Sequence, residues 1–64
     1  MTTKKLLEKY NDAFKSVMDE KLVWRLRVSA AIRAMTLAEV MQDNERLLNA
    51  AEAADHLFAS KTAN

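Results

Sequence analysis

The 64-residue sequence contains no glycine, no proline and no cysteine. Glycine and proline form most of the tight turns between strands, so a chain without them is poorly suited to an all-β or α/β fold. Its apolar residues are chiefly Ala, Leu and Met, which favour helix, whereas aromatic residues make up only 6% of the chain. The predicted fold class is therefore all-α.

The lack of cysteine also excludes disulfides, and the single histidine, His56, leaves few ligands for a metal ion. Nucleophilic catalysis needs a nucleophile, a base and an orienting group, and His56 has no nucleophile motif to act with. We expect no enzymatic activity, no cofactor and no bound metal. No stretch without a charged residue exceeds five residues, so we expect no membrane-spanning helix and a cytoplasmic location.

Two series of apolar residues alternate steps of three and four, the spacing that places side chains on one face of a helix. The first series runs from Leu7 to Met35 and is interrupted at Lys21, and the second runs from Leu37 to Phe58 and includes the polar Asn44. The pattern predicts a single domain over residues 1–64. Its fold is predicted to be a helical hairpin of two long helices, about 4–34 and about 37–60, with a frayed tail at 61–64.

The break between these helices is predicted at Thr36, because Thr36 and Glu39 have the spacing of a capping box, with helix beginning at residue 37. The alternative is that Thr36 lies within a helix and its hydroxyl bonds a carbonyl one turn earlier. Breaks at Asp19-Glu20 or at Gln42-Asp43-Asn44 would instead divide the chain into three shorter helices.

A chain this short buries little apolar surface, while ordering each residue costs roughly 1.5 kcal/mol. Without a disulfide or a metal, self-association is the remaining way to offset that cost, so we predict that the hairpin assembles into a dimeric helical bundle. Asn44 would then lie either in the dimer seam or on solvent at a helix break. The residues predicted for the core or the interface are Leu7, Tyr10, Phe14, Val17, Trp24, Val28, Met35, Leu37, Val40, Asn44, Leu47, Ala51, Ala54 and Phe58.

Alanines cluster at residues 30–34 and 50–54. Such small side chains let helices approach closely, although the same residues would also be explained by helix propensity on a solvated face. The two interpretations predict opposite burial for these positions.

Charge is divided between the two halves of the chain. Residues 1–35 hold eight Lys or Arg against four Asp or Glu, net +4, and residues 36–64 hold two against five, net −3. This asymmetry favours antiparallel helices or head-to-tail pairing of two chains. It also makes nucleic acid a possible partner, with contacts from Lys21, Arg25, Arg27 and Arg33, although Arg27 points about 200° away from Arg25 around a helix.

The segment 43–56, which ends in Ala-Ala-Asp-His, resembles a segment of the Hha and YmoA nucleoid modulators. These are small helical proteins that bind the H-NS silencer through acidic residues. The resemblance covers about fourteen residues and does not include the C-terminal helix of that family. It implies Asp55 as a partner contact.

Together these patterns predict a small regulatory or adaptor protein that has no catalytic activity and acts through helix surfaces. Its expected partners are a second copy of itself and another protein. The alternative function is a nucleoid or DNA-associated modulator that uses the basic N-terminal half.

Overall fold

The computed structural model describes residues 2–62, and they form three helices. Helix α1 spans Thr3–Met18, α2 spans Trp24–Met41 and α3 spans Asn44–Thr62. Helix α2 packs against both α1 and α3. The all-α fold class is therefore confirmed.

The prediction of two long helices is wrong, because the chain breaks at residues 19–23 and at 42–43 rather than at Thr36. Thr36 lies inside α2, where its Oγ1 donates a hydrogen bond to the Ile32 carbonyl at 3.0 Å. That internal bond satisfies the hydroxyl without a helix end, so the capping-box pattern has no effect here. The two breaks are those considered as alternatives in the sequence.

The turn between α2 and α3 is made without glycine. Gln42 adopts the left-handed conformation, with φ 56° and ψ 38°, that glycine most often supplies at the end of a helix. Its N–H donates to the Glu39 carbonyl at 3.0 Å, and the next N–H, that of Asp43, donates to the Ala38 carbonyl at 2.9 Å. This pair of bonds is a Schellman motif, and it closes α2.

The end of α1 is held by a residue distant in sequence. Asp19 follows the helix in an extended conformation, and its side chain accepts a hydrogen bond from the Lys21 N–H at 3.0 Å. Arg27, in the first turn of α2, donates from Nε to the Val17 carbonyl at 2.8 Å. A cation at the carboxyl end of a helix also complements its dipole.

Two groups of buried side chains define the core and the direction of the helices. The first group comprises Tyr10, Ala13, Ala34, Ala38 and Ala50, and the second comprises Val17, Ala30, Ala31, Ala54 and Leu57. The first group joins the middle of α1 to the later part of α2 and the earlier part of α3, and the second joins the end of α1 to the earlier part of α2 and the later part of α3. Helices α1 and α3 therefore run parallel, and α2 runs antiparallel to both. Ala30, Ala31, Ala34 and Ala38 are all 0% exposed, which selects close helix approach over a solvated alanine face.

The C-terminal tail predicted at 61–64 falls partly outside the described residues. Lys61 and Thr62 belong to α3, and residues 63 and 64 lie beyond the described range. Among the residues that are described, no helix combines the length and the apolar character that crossing a bilayer requires.

Candidate interaction surface

The predicted core and interface residues fall into three groups in the single chain. Tyr10, Val17 and Ala54 are buried. The half-buried ones are Leu7, Phe14, Trp24, Val28, Met35, Leu37, Leu47 and Ala51. Val40, Asn44 and Phe58 are exposed.

The second predicted series crosses the break between α2 and α3, and the residues on either side of that break, Val40 and Asn44, are exposed. Val40 is exposed in the last turn of α2, and Asn44 is the first residue of α3. The left-handed residue Gln42 reorients the chain between them, so a three-four rhythm carried across it does not describe one face. Asn44 thus lies at a helix break, outside the core of the single chain.

Three buried residues lie outside both the predicted series and the alanine clusters, namely Ala13, Ala38 and Leu57. Leu57 follows Ala54, a member of the predicted series, by three residues, and Phe58 follows it by four, so both positions fit the spacing. With apolar residues at both 57 and 58, periodicity alone could not choose the buried position. Leu57 is 6% exposed, whereas Phe58 is 50% exposed.

Tyr10 links α1 to α3. Its ring is buried, and its hydroxyl donates to the Arg46 carbonyl at 2.9 Å. The Arg46 guanidinium lies 5.9 Å from the centre of the Tyr10 ring and forms an ion pair with Asp43 at 2.7 Å. Burial raises the pKa of Tyr10, the largest of the influences on it, so the phenol stays protonated and able to donate. This cluster is structural, because each polar group in it is engaged by another part of the fold.

Trp24 links α2 to the end of α3. Its indole N–H donates to the Leu57 carbonyl at 2.7 Å, and its ring meets that of Phe58 edge-on, with 5.4 Å between ring centres. The Lys61 ammonium lies 4.6 Å from the centre of the Trp24 ring, within cation–π range. Trp24 is half-buried and Phe58 is 50% exposed, so the aromatic pair is only partly covered.

The exposed and half-buried apolar residues of α2 and α3 form one surface, which we call the α2–α3 face. It comprises Trp24, Val28, Ile32 and Met35 from α2 and Leu47, Ala51 and Phe58 from α3. Within each helix these residues recur at steps of three, four or seven, so they share one side. The contact between Trp24 and Phe58 shows that the two sides adjoin where α2 begins. Ile32, two turns along α2, also lines the groove between α1 and α2. Ile32 is 53% exposed and Phe58 50%, which leaves the face open to solvent.

The basic residues predicted to contact nucleic acid are not brought together. Lys21 lies in the turn before α2, and Arg25 and Arg33 are exposed on α2 eight residues apart. Arg27 is half-buried and committed to the end of α1. Asp55, the contact implied by the resemblance to nucleoid modulators, is exposed on α3. A phosphate backbone would therefore meet separated charges rather than a stripe.

Residues 2–62 contain no group of three or more His, Cys, Asp or Glu side chains arranged to hold a metal ion. The grooves between the helices are shallow and open, and the one between α1 and α3 is lined by a mixture of polar and apolar residues such as Asn49, Glu52 and Phe14. The groove between α1 and α2 is lined by charged residues such as Lys9 and Arg33 together with Ile32 and Leu37. Searches found no matching family model, no similar curated protein and no similar solved structure.

Proposed function

We propose that this chain is a small regulatory or adaptor protein that acts through protein–protein contacts, with a homodimer as its working form. The observation that carries the proposal is the α2–α3 face, a set of apolar side chains on two helices that the single chain covers only in part. Contiguous exposed apolar surface on a small protein is typical of a site that another protein covers.

The composition of the core supports association. Seven of the ten buried residues described are alanines, and the other three are Tyr10, Val17 and Leu57. Alanine buries little apolar area, and hydrophobic stabilisation scales with that area at about 25 cal/mol per Å². The other large apolar groups, Phe14, Trp24 and Met35 among them, lie at the margins of the core. Covering them with a second chain would add stability that the single chain lacks.

The chemistry of the face favours a protein as the occupant. The face consists of apolar side chains, two of them aromatic, with charged groups such as Arg25 and Glu39 beside them, which matches the usual composition of protein interfaces. Nucleic acid would require phosphate contacts, and the basic side chains of α2 are dispersed. Partners other than a second copy are proposed to be proteins as well, bound without catalysis or a cofactor.

Sedimentation equilibrium over a hundredfold range of concentration tests the proposal. We expect wild-type protein to be dimeric at micromolar concentration and Phe58→Ser to weaken the dimer at least tenfold, because it removes the exposed aromatic ring of the face. Met18→Ser is the matched control, since Met18 is 62% exposed but belongs to α1. Circular dichroism would verify that both variants are helical.

A folded wild-type protein that sediments at 7.3 kDa throughout this range would contradict the proposed dimer. Equal weakening by Phe58→Ser and Met18→Ser would place the association elsewhere than on the α2–α3 face. The first result would overturn the homodimer, and the second would overturn the α2–α3 face as its interface.

A further inference from the structure

We infer that the α2–α3 face binds a second copy of this chain with the two α2 helices antiparallel, crossing at Ile32. The inference rests on the proposed homodimer and specifies its geometry. It follows from the order of residues along one side of α2, from the charges at the two ends of that side, and from the exposure of its central residue.

One side of α2, which carries Val28, Ile32 and Met35, has a symmetric arrangement. Its residues are Arg25, Val28, Ile32, Met35 and Glu39, at successive steps of three, four, three and four. At 100° per residue these five positions lie within about 80° of one another around the helix. The basic residue and the acidic residue are each seven positions from Ile32, with one apolar residue between.

This order is self-complementary only when the helices are antiparallel. A two-fold axis at Ile32 would place Ile32 against its own equivalent and Val28 close to the partner's Met35. Arg25 would then face the partner's Glu39, and the same pair would recur on the other side of the axis. Parallel pairing would instead place Arg25 beside Arg25 and Glu39 beside Glu39, which is unfavourable.

The two charged residues are available for such a contact. Arg25 and Glu39 are both exposed, and the ion pair found among the described residues, Arg46–Asp43, involves neither. Ile32, between them, is 53% exposed, although an isoleucine at the centre of a helix gains stability mainly when it is packed. The stripe from Arg25 to Glu39 is about 21 Å long at 1.5 Å per residue, which is long enough for knobs-into-holes packing over four turns.

Helix α3 extends the same surface. Phe58, which touches Trp24, lies beside the stripe and would flank the crossing of the two α2 helices. The aromatic side chain of Phe58 would then cover one edge of the interface. The resulting assembly is a pair of three-helix units joined through their central helices.

The absence of cysteine allows a direct test by disulfide formation. A residue on a two-fold axis lies opposite its own equivalent, so Ile32→Cys is expected to form a covalent dimer under mild oxidation. Ser29→Cys is the matched control, because Ser29 is exposed on α2 but lies outside the stripe. Efficient crosslinking through position 32 and little through position 29 is the expected result.

Charge exchange provides a second, independent measurement by sedimentation. Arg25→Glu and Glu39→Arg should each weaken the dimer about tenfold, since each creates two like-charged contacts across the axis. The double variant with both changes should regain most of the wild-type affinity at low salt, because opposite charges again face each other. Circular dichroism serves to confirm helicity in every variant.

The outcomes distinguish the inference from the proposal on which it rests. If the wild type is dimeric but Ile32→Cys stays unlinked, or if the double charge exchange fails to restore affinity, the antiparallel α2 contact is overturned and the dimer stands. If the wild type is monomeric throughout, both are overturned. Equal crosslinking at positions 29 and 32 would also contradict the axis at Ile32.

Discussion

Three side chains join helices by donating from a polar tip to a backbone carbonyl of another helix. Tyr10 reaches Arg46, Trp24 reaches Leu57 and Arg27 reaches Val17. Each carries an apolar stem or ring that packs, and a donor at its end that satisfies an otherwise unpaired lone pair. The alanines of α2 let the helices approach closely, and the three long side chains form hydrogen bonds between helices that alanine cannot form. They fix which residues face each other in a core that has few large groups.

Gln42 is the residue whose backbone is least suited to its side chain. Its left-handed conformation brings Cβ close to a carbonyl oxygen, at a cost of roughly 1–2 kcal/mol for a residue other than glycine. Gln42→Gly should therefore raise the free energy of unfolding by about 0.5–1 kcal/mol, after allowing for the greater freedom of glycine in the unfolded chain. Thermal and urea unfolding followed by circular dichroism would measure the change.

The control for this substitution is Arg33→Gly, at an exposed position inside α2. There glycine relieves no unfavourable angle, and it should destabilise the protein by about 1 kcal/mol. A Gln42→Gly variant that melts below the wild type would show that the α2–α3 turn does not depend on the left-handed residue.

At the scale of helices, the start of α3 is set by Asp43. Its Oδ1 accepts the Arg46 N–H at 3.1 Å, and its Oδ2 pairs with the Arg46 guanidinium at 2.7 Å. The same residue donates its own N–H to the end of α2. One residue thus ends one helix and begins the next, and this explains how the chain turns within Gln42 and Asp43.

The pKa of Asp43 is lowered most by the hydrogen bond that its carboxylate accepts from the Arg46 N–H, and it is lowered further by the bond from the Arg46 guanidinium. A carboxyl with a lowered pKa in the folded state contributes stability above its unfolded pKa of about 3.9, and this contribution is lost as the pH falls through the folded pKa. Asp43→Asn keeps a capping oxygen but not the charge. We expect it to melt lower than the wild type at pH 6, with a difference that narrows below about pH 4.

Measuring melting temperatures of both proteins from pH 7 to pH 3 at constant ionic strength would check this. Glu20→Gln, in the turn after α1, is a suitable control for a general effect of lost negative charge. A difference between Asp43→Asn and wild type that is the same at every pH would assign the role of Asp43 to shape rather than charge.

Helix boundaries were less predictable than helix content. The Thr36–Glu39 spacing of a capping box and the Asp43 cap are both visible in the sequence, but only the second is used. A cap matters only where the chain leaves the helix, and here that depends on α3 packing back along α2. Gln42 also gave no signal, because left-handed turns are usually recognised by glycine or asparagine. The sequence therefore offered three possible breaks, and the one that it favoured, at Thr36, is not used.

For the whole molecule, the absence of glycine and proline was sufficient to predict an all-helical chain, since no other class suits that composition. The phase of each helix was not predictable to one residue. Large apolar residues such as Trp24 and Phe58 attracted the predicted stripes, whereas the core is built around alanines, whose burial is indistinguishable in sequence from simple helix propensity. The predicted stripes consequently follow the α2–α3 face more closely than the core.

Ala34 is where the three helices converge, since it is 0% exposed and shares a buried cluster with Tyr10 of α1 and Ala50 of α3. A larger side chain there would have to separate these helices or leave its preferred rotamers. We expect Ala34→Leu to lower the free energy of unfolding by about 1–3 kcal/mol, the usual effect of overpacking a tight core. Arg33→Leu is the control, because the adjacent position is exposed and should change stability by no more than about 0.5 kcal/mol. Urea unfolding monitored by circular dichroism would compare the two. If Ala34→Leu were as stable as the wild type, the helices would not be in close contact at Ala34, and the alanines of α2 would owe their presence to helix propensity alone.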